Sequence, residues 1–149
     1  MGGSPSVEDG LQKVNYQYNI RGWLTNINDL NHLEDGIGQY ADLFAFKINY
    51  NIVENTVGNS IKPLFNGNIA ETFWQTESDA TIRKYGYAYD QLNRLQKAVY
   101  QKPYQTPAVT NSYNESLWYD KNGNITALQR YGEIDDAIDK IEIDKKNYY

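Results

Sequence analysis

The sequence has no cysteine and only one histidine in 149 residues, so several kinds of chemistry are excluded at the outset. Without cysteine there are no disulfide bonds, no thiolate catalysis and no cysteine-ligated zinc. A Ser-His-Asp arrangement would have to use His32, which lies in a polar stretch typical of a solvated loop. Apolar runs are also short, well below the roughly 20 residues of a membrane-spanning helix. We therefore expect no nucleophilic enzyme and no membrane insertion.

Positive charge is scarce as well. Lys and Arg number 14 against 19 acidic residues, which gives a net charge of −5 and a pI near 4.8. Nucleic acids and anionic membranes are bound by clustered Lys and Arg, so neither partner is expected. The sequence has no Gly-rich phosphate loop, dinucleotide fingerprint or HExxH motif, and no cofactor is predicted. Residues 1–10 read as a linker or tag remnant, which leaves 11–149 as one domain.

Aromatic residues are abundant, with 14 Tyr, 4 Phe and 3 Trp, and they favour strands over helices. Three segments, 16–25, 87–96 and 117–126, align without gaps, and a shorter fourth copy begins at residue 65. Each reads aromatic, Asp or Asn, two variable residues, Gly or Asn, one residue, then an aliphatic. The motif positions are Tyr16, Tyr18, Asn19, Gly22, Leu24, Phe65, Asn66, Gly67, Tyr87, Tyr89, Asp90, Leu95, Tyr119, Asp120, Gly123 and Ile125.

Each copy is typical of a β-hairpin, because Asn-Gly and Asx residues suit tight turns between alternating apolar flanks. The alternation predicts strands near 13–20, 23–28, 43–51, 61–65, 68–76, 83–90, 94–101, 115–120 and 124–131, with long loops near 29–42 and 52–60. In segment 133–146, Ile134, Ile138 and Ile141 have helical spacing, whereas Ile141 and Ile143 alternate as in a strand. We favour a strand at 138–144. The predicted fold class is all-β, with antiparallel hairpin repeats in a curved or spiralling sheet.

The motif resembles the YD repeat of the RHS (rearrangement hot spot) and teneurin families, and YQYNIRGWLTNIND at 16–29 resembles the RHS form of Bacteroidetes. The resemblance covers about 11–132, with units near 14–28, 61–76, 83–101 and 115–131. It implies a segment of a hollow β-shell that encloses or presents a toxin or effector, in a bacterial protein that is secreted or at the cell surface. The self-cleavage site of complete shells contains Asp-Pro, which is missing here, so that activity is not carried over.

Two acidic clusters and one turn are candidate sites for catalysis or metal binding. Paired carboxylates could hydrolyse glycosides, but the clusters are more typical of solvated loops: Asp29, Glu34, Asp35 and Asp42, then Glu133, Asp135 and Asp136. Asp120, Asn122 and Asn124 match the first three ligand positions of an EF-hand loop. Ile125 stands where that loop needs Gly, and Tyr131 where it needs Glu, so a hairpin turn is favoured. No catalytic residue and no metal is predicted.

The function predicted from the sequence is structural, with no catalysis. Repeated hairpins would pair edge to edge, and the expected partners are further repeats of a parent chain or a second copy joined through edge strands. The alternative is a carbohydrate-binding module, in which exposed Trp23, Trp74 and Trp118, with the tyrosines at 85, 87 and 89, stack on sugar rings. Aromatic pairs that stabilise a sheet are the competing explanation of these residues.

Overall fold

The computed structural model describes residues 13–33, 42–54, 61–105, 108, 112–132 and 141–148. Within these ranges the chain is all-β and contains no helix. Nine strands form one open antiparallel sheet in which each strand pairs with the next along the chain. The strands are β1 (Tyr16–Tyr18), β2 (Leu24–Ile27), β3 (Phe44–Asn49), β4 (Glu71–Thr76), β5 (Arg83–Tyr89), β6 (Leu95–Gln101), β7 (Glu115–Tyr119), β8 (Ile125–Gly132) and β9 (Ile141–Asn147).

The predicted fold class is confirmed, and the predicted strands match the observed ones except at 61–65. That segment carries no strand, so the hairpin predicted for 61–76 does not form, and β4 pairs with β3 instead. Ile61 lies across β5 at Gly86, where an added Cβ would be 2.7 Å from its Cγ1. The segment therefore packs over the sheet and does not extend it. The strand favoured at 138–144 is present from Ile141 onwards, and 138–140 lie outside the described residues.

One face of the central sheet, which we call the aromatic face, carries rings from successive strands. Phe46 pairs with Trp74 across β3 and β4, and Tyr85 pairs with Tyr100 across β5 and β6. Because side chains alternate along a strand, these residues share one side of the sheet. Trp74, Tyr85 and Tyr100 have ring centroids 5.6 to 6.1 Å apart.

The opposite face, which we call the charged face, holds a small apolar core beside buried polar groups. Leu30, Ala45 and Phe73 form the core. Lys84 and Glu71 lie on the same side of the sheet and are fully buried. Buried charge is stable only where it is paired and hydrogen-bonded, so both residues are expected to have partners on this face.

Candidate functional site

The first hairpin turn, between β1 and β2, is closed by the side chain of Asn19. Its Oδ1 accepts hydrogen bonds from the backbone N–H of Arg21 at 2.9 Å and of Trp23 at 3.0 Å. The backbone of Asn19 bonds that of Trp23, and Gly22 follows the turn with φ of 74°. A residue with positive φ after a type I turn produces a bulge on the strand that follows the turn. The pairing of Tyr18 with Leu24 shows this shift of register.

The other two gapless motif copies form the same turn. In the β5–β6 hairpin, Asp90 Oδ1 accepts from the N–H of Leu92 and of Arg94, both at 2.9 Å. In the β7–β8 hairpin, Asp120 Oδ1 accepts from the N–H of Asn122 at 2.8 Å and of Asn124 at 2.9 Å. The residues with positive φ are Asn93 and Gly123, and the register shifts at Tyr89 and Tyr119. The three copies therefore share one hydrogen-bond pattern.

These hydrogen bonds lower the pKa of both turn carboxyl groups. For Asp90 the largest cause is the bond from the backbone of Arg94, whose side chain also donates to Oδ2 at 2.6 Å. For Asp120 it is the bond from the side chain of Asn124. Each carboxylate is engaged by the turn itself, which is the hairpin arrangement favoured over the calcium loop.

Consecutive hairpins are joined by tyrosine hydroxyls, each of which donates to a carbonyl oxygen of the preceding hairpin. Tyr119 donates to Leu95 at 2.7 Å, Tyr89 to Ile69 at 2.9 Å, and Tyr50 to Leu24 at 3.0 Å. Leu24 and Leu95 hold the aliphatic motif position, while Tyr89 and Tyr119 hold the aromatic position before the acidic residue. The same bond therefore recurs at three junctions in the sheet.

Tyr50 and Ile69 reveal a motif copy that the sequence alignment missed. Tyr50-Asn51-Ile52 repeats Tyr18-Asn19-Ile20, but an insertion of 13 residues lies between Ile52 and the aliphatic Ile69. The second hairpin is thus β3 with β4, and its long connection carries the Asn66-Gly67 turn. The repeated Tyr-Asn-Ile is the sequence feature that could have identified this copy. A gapless alignment stops after these three residues because of the insertion that follows them.

The turns lie in a row along one end of the sheet. Gly67 supports the Trp23 ring, since an added Cβ would be 3.1 Å from its Cη2. Asn66 donates to the side chain of Asn93 at 2.6 Å. Arg94 donates to the backbone oxygen of Asp120 at 2.9 Å. Each turn therefore contacts the next, as expected of a repeat array.

The charged face contains a buried ion pair beside a half-buried one. Lys84 Nζ lies 2.5 Å from Glu71 Oε1, and Lys47 Nζ lies 2.8 Å from both carboxylate oxygens of Glu54. Lys84 also donates to the backbone oxygen of Glu54. Burial lowers the pKa of Lys84. Burial raises the pKa of Glu54, but bonds from Lys47 and Asn49 outweigh it, so the net pKa is lowered.

A groove of about 400 Å³ opens on the aromatic face between Trp74, Arg83, Tyr85, Tyr100 and Tyr113. Tyr85 donates its hydroxyl to the backbone oxygen of Tyr113 at 2.9 Å. Burial raises the pKa of Tyr85 to about 12, so the hydroxyl stays protonated as a donor. Four aromatic side chains and one guanidinium therefore line a concave surface.

The three tryptophans proposed for sugar stacking do not share one surface. Trp23 lies in the turn row, 5.1 Å from the Tyr50 ring, and Trp74 lies in the groove. Glu115 lies on the same face as Trp74, because it pairs with Ala98 on the aromatic face. Trp118 comes three positions later on β7 and therefore faces the opposite side. It is 48% exposed beside Gln129. Any sugar platform would thus use one of these residues at a time.

The catalytic candidates are only partly within the described residues. His32 Nδ1 lies 3.1 Å from Asp29 Oδ2, and both side chains are more than half exposed. The backbone N–H of Asn31 and then His32 lower the pKa of Asp29. Asp42 lies just before β3. Outside the described residues lie Glu34, Asp35, Glu133, Asp135 and Asp136.

No group of three or more His, Asp or Glu side chains is close enough to hold a metal ion among the described residues. The same part of the chain has no helix that is both long and apolar enough to cross a membrane. No protein-family model, curated protein or solved structure matches the chain significantly.

Proposed function

We propose that the chain is a structural segment of a β-repeat array of the RHS type, in which each hairpin is one unit of a wall. The observation that carries this proposal is the tyrosine-to-carbonyl bond repeated at three junctions between hairpins. Three turns with one hydrogen-bond pattern add support. Units that bond their neighbours in the same way can be added in series, which is the property a wall requires.

The turns that connect the hairpins also fit an architectural role. The carboxylate and amide oxygens of the turn residues accept hydrogen bonds from backbone N–H groups, so these polar side chains stabilise the turn conformation. In the parent protein, β1 and β9 would pair with further repeats, or with a second copy, because edge strands present unpaired backbone groups. The resemblance implies a bacterial parent protein that is secreted or at the cell surface, in which the wall encloses or presents a toxin or effector.

Native-state hydrogen exchange of the full chain tests the array. Asp90→Ala removes the side-chain acceptor of the central turn, so exchange should rise most in β5 and β6, less in β4 and β7, and least in β1. Such a gradient follows from units that are stabilised by nearest neighbours. An equal rise in all nine strands would show one indivisible cooperative unit and would contradict the array. Asp79→Ala, in the β4–β5 connection, is the control outside the turn row.

Carbohydrate binding is a second candidate function, and the groove beside Trp74 is the observation that favours it. Aromatic rings present flat apolar surfaces, while the Arg83 guanidinium offers donors. The groove is rigid, because Arg83 is held by Asp79 through contacts of 3.1 and 2.5 Å. A preformed concave site of this kind suits a small ligand.

Tryptophan fluorescence separates the two functions. A panel of soluble polysaccharides is titrated into the wild type, into Trp74→Phe and into Trp118→Phe. If the chain is a glycan-binding module, one polysaccharide should shift the emission of the wild type and of Trp118→Phe, with a weaker response in Trp74→Phe. If the chain is structural alone, no polysaccharide should change the emission.

A further inference from the structure

An amine, a carboxyl group and a carboxamide meet on the charged face, on three consecutive strands. Asn49 ends β3 and is paired with Glu71, the first residue of β4. Lys84, on β5, is paired with Phe73 of β4. The three polar residues are 6%, 0% and 0% exposed, respectively. Three groups that can react with one another are therefore held together away from water.

Glu71 contacts both of the nitrogen-bearing side chains. Its Oε1 lies 2.5 Å from Lys84 Nζ, and its Oε2 accepts from Asn49 Nδ2 at 3.2 Å. The Phe73 ring lies 5.2 Å from Lys84 Nζ and shields the amine. One carboxyl group thus lies between a primary amine and an amide, where it can transfer a proton from the first to the second.

We propose that Lys84 and Asn49 form an intramolecular amide crosslink, with Glu71 as the proton-transfer group. The amine moves by side-chain rotation from Glu71 to the Cγ atom of Asn49 and attacks it. A bond forms between Nζ and Cγ, the bond between Cγ and Nδ2 breaks, and ammonia leaves. Glu71, which has taken the ammonium proton of Lys84, delivers that proton to the departing nitrogen and then accepts the proton that the attacking nitrogen releases. Nothing is oxidised or reduced, and no other reactant is needed.

The surroundings favour the neutral amine that this attack requires. Burial lowers the pKa of Lys84, since a low-dielectric site disfavours its charged form. Moving the ammonium proton to Glu71 converts the buried ion pair into two neutral groups. The product amide would join β3 to β5 across β4, a covalent clamp in a chain that has no cysteine.

Lys47 provides a matched control on the same face. It lies on β3 two residues before Asn49, and its amine bonds the Glu54 carboxylate at 2.8 Å. Its side chain is 28% exposed, whereas that of Lys84 is fully buried. The geometry therefore assigns the reaction to Lys84, and replacement of Lys47 should leave it intact.

Intact mass spectrometry of the denatured full chain tests the crosslink. The wild type and Lys47→Arg should be lighter than their sequences by one ammonia molecule, and digestion should yield a branched peptide that joins Asn49 to Lys84. Lys84→Arg and Glu71→Gln should have their full sequence masses, with circular dichroism to confirm that both are folded.

Two results would overturn the proposal. A wild-type mass equal to the sequence mass, after prolonged incubation of the folded chain, shows that no crosslink forms. Loss of ammonia that persists in Lys84→Arg points instead to succinimide formation at an asparagine, for which Asn66-Gly67 and Asn122-Gly123 are the candidates. The wild-type measurement decides the question even if a variant fails to fold.

Discussion

The tyrosine hydroxyls at the hairpin junctions give the sharpest test of the repeat architecture. Replacing Tyr50, Tyr89 or Tyr119 with Phe removes one hydrogen bond and keeps the ring. A buried or half-buried neutral hydrogen bond contributes about 1 kcal/mol, so each variant should lose about that much free energy of unfolding. The junctions are two strand spacings apart, about 9–10 Å, so the three losses should add to about 3 kcal/mol in the triple variant.

Tyr18→Phe is the matched control. Tyr18 holds the same motif position, but it lies on β1, an edge strand of the described sheet, and is 60% exposed. Its replacement should change the free energy of unfolding by less than about 0.5 kcal/mol, as at most surface positions. Urea titrations followed by circular dichroism provide the values through the midpoint and slope. An equal loss in Tyr18→Phe, or a triple variant as stable as wild type, would refute the role of the junctions.

Three further predictions concern single side chains. Trp74→Ala should lower the free energy of unfolding by about 3 kcal/mol or more, because a large packed ring is removed. Trp118→Ala, at a 48% exposed site, should lower it by less than about 1 kcal/mol. Chemical denaturation measures both values. Gly22→Ala should lower the free energy of unfolding by about 1 kcal/mol, because residue 22 has a positive φ. Gly67→Ala should lower it by more, because the added methyl group would also contact the Trp23 ring. Thermal melting of the two variants compares these losses. The bond from Arg83 lowers the pKa of Asp79 from 3.8 to about 2. Asp79 therefore stabilises the fold above pH 3.8 and loses this effect as the pH falls towards 2, so acid titration of Asp79→Asn should lack that part of the decline.

The hairpin turns could be predicted from sequence because every group that defines them lies within six residues. Asp90 accepts from Leu92 and Arg94, and the residue with positive φ comes directly before the aliphatic strand. A local pattern of an acceptor side chain, a short spacer and Gly or Asn is therefore sufficient to predict the turn. The strands next to these turns were placed correctly for the same reason.

The second hairpin could not be predicted in this way because its motif is split by an insertion. Tyr50 and Ile69 are 19 positions apart, whereas Tyr18 and Leu24 are 6 apart. The Asn66-Gly67 turn lies inside the insertion and suggested a strand at 61–65 that does not form. Only the pairing of β3 with β4 identifies which residues belong together.

The burial of Lys84 and Glu71 could not be predicted from the sequence either. The sequence also did not indicate which face of the sheet the long connections cover. Alternation predicts which residues share a face, but it does not say which face the long connections cover. Lys84 alternates with tyrosines and would ordinarily be assigned to solvent. The connection after β3 instead crosses the charged face, where Glu54 supplies a backbone acceptor to Lys84 and where Glu71 bonds the Glu54 N–H at 2.8 Å.

Because the connection after β3 covers the charged face, the two faces of the sheet are expected to have different roles. The charged face gains its order from specific bonds between strands and the β3–β4 connection, so changes there should act on stability or on the proposed crosslink. The aromatic face keeps a groove open beside Trp74, and this groove is the proposed site for a glycan. A variant such as Trp74→Phe keeps an aromatic ring and most of the packing but lacks the Trp74 emission, so its affinity for a polysaccharide is measured by titration calorimetry. Glu71→Gln leaves the groove untouched, and its effect on mass is therefore independent of any glycan.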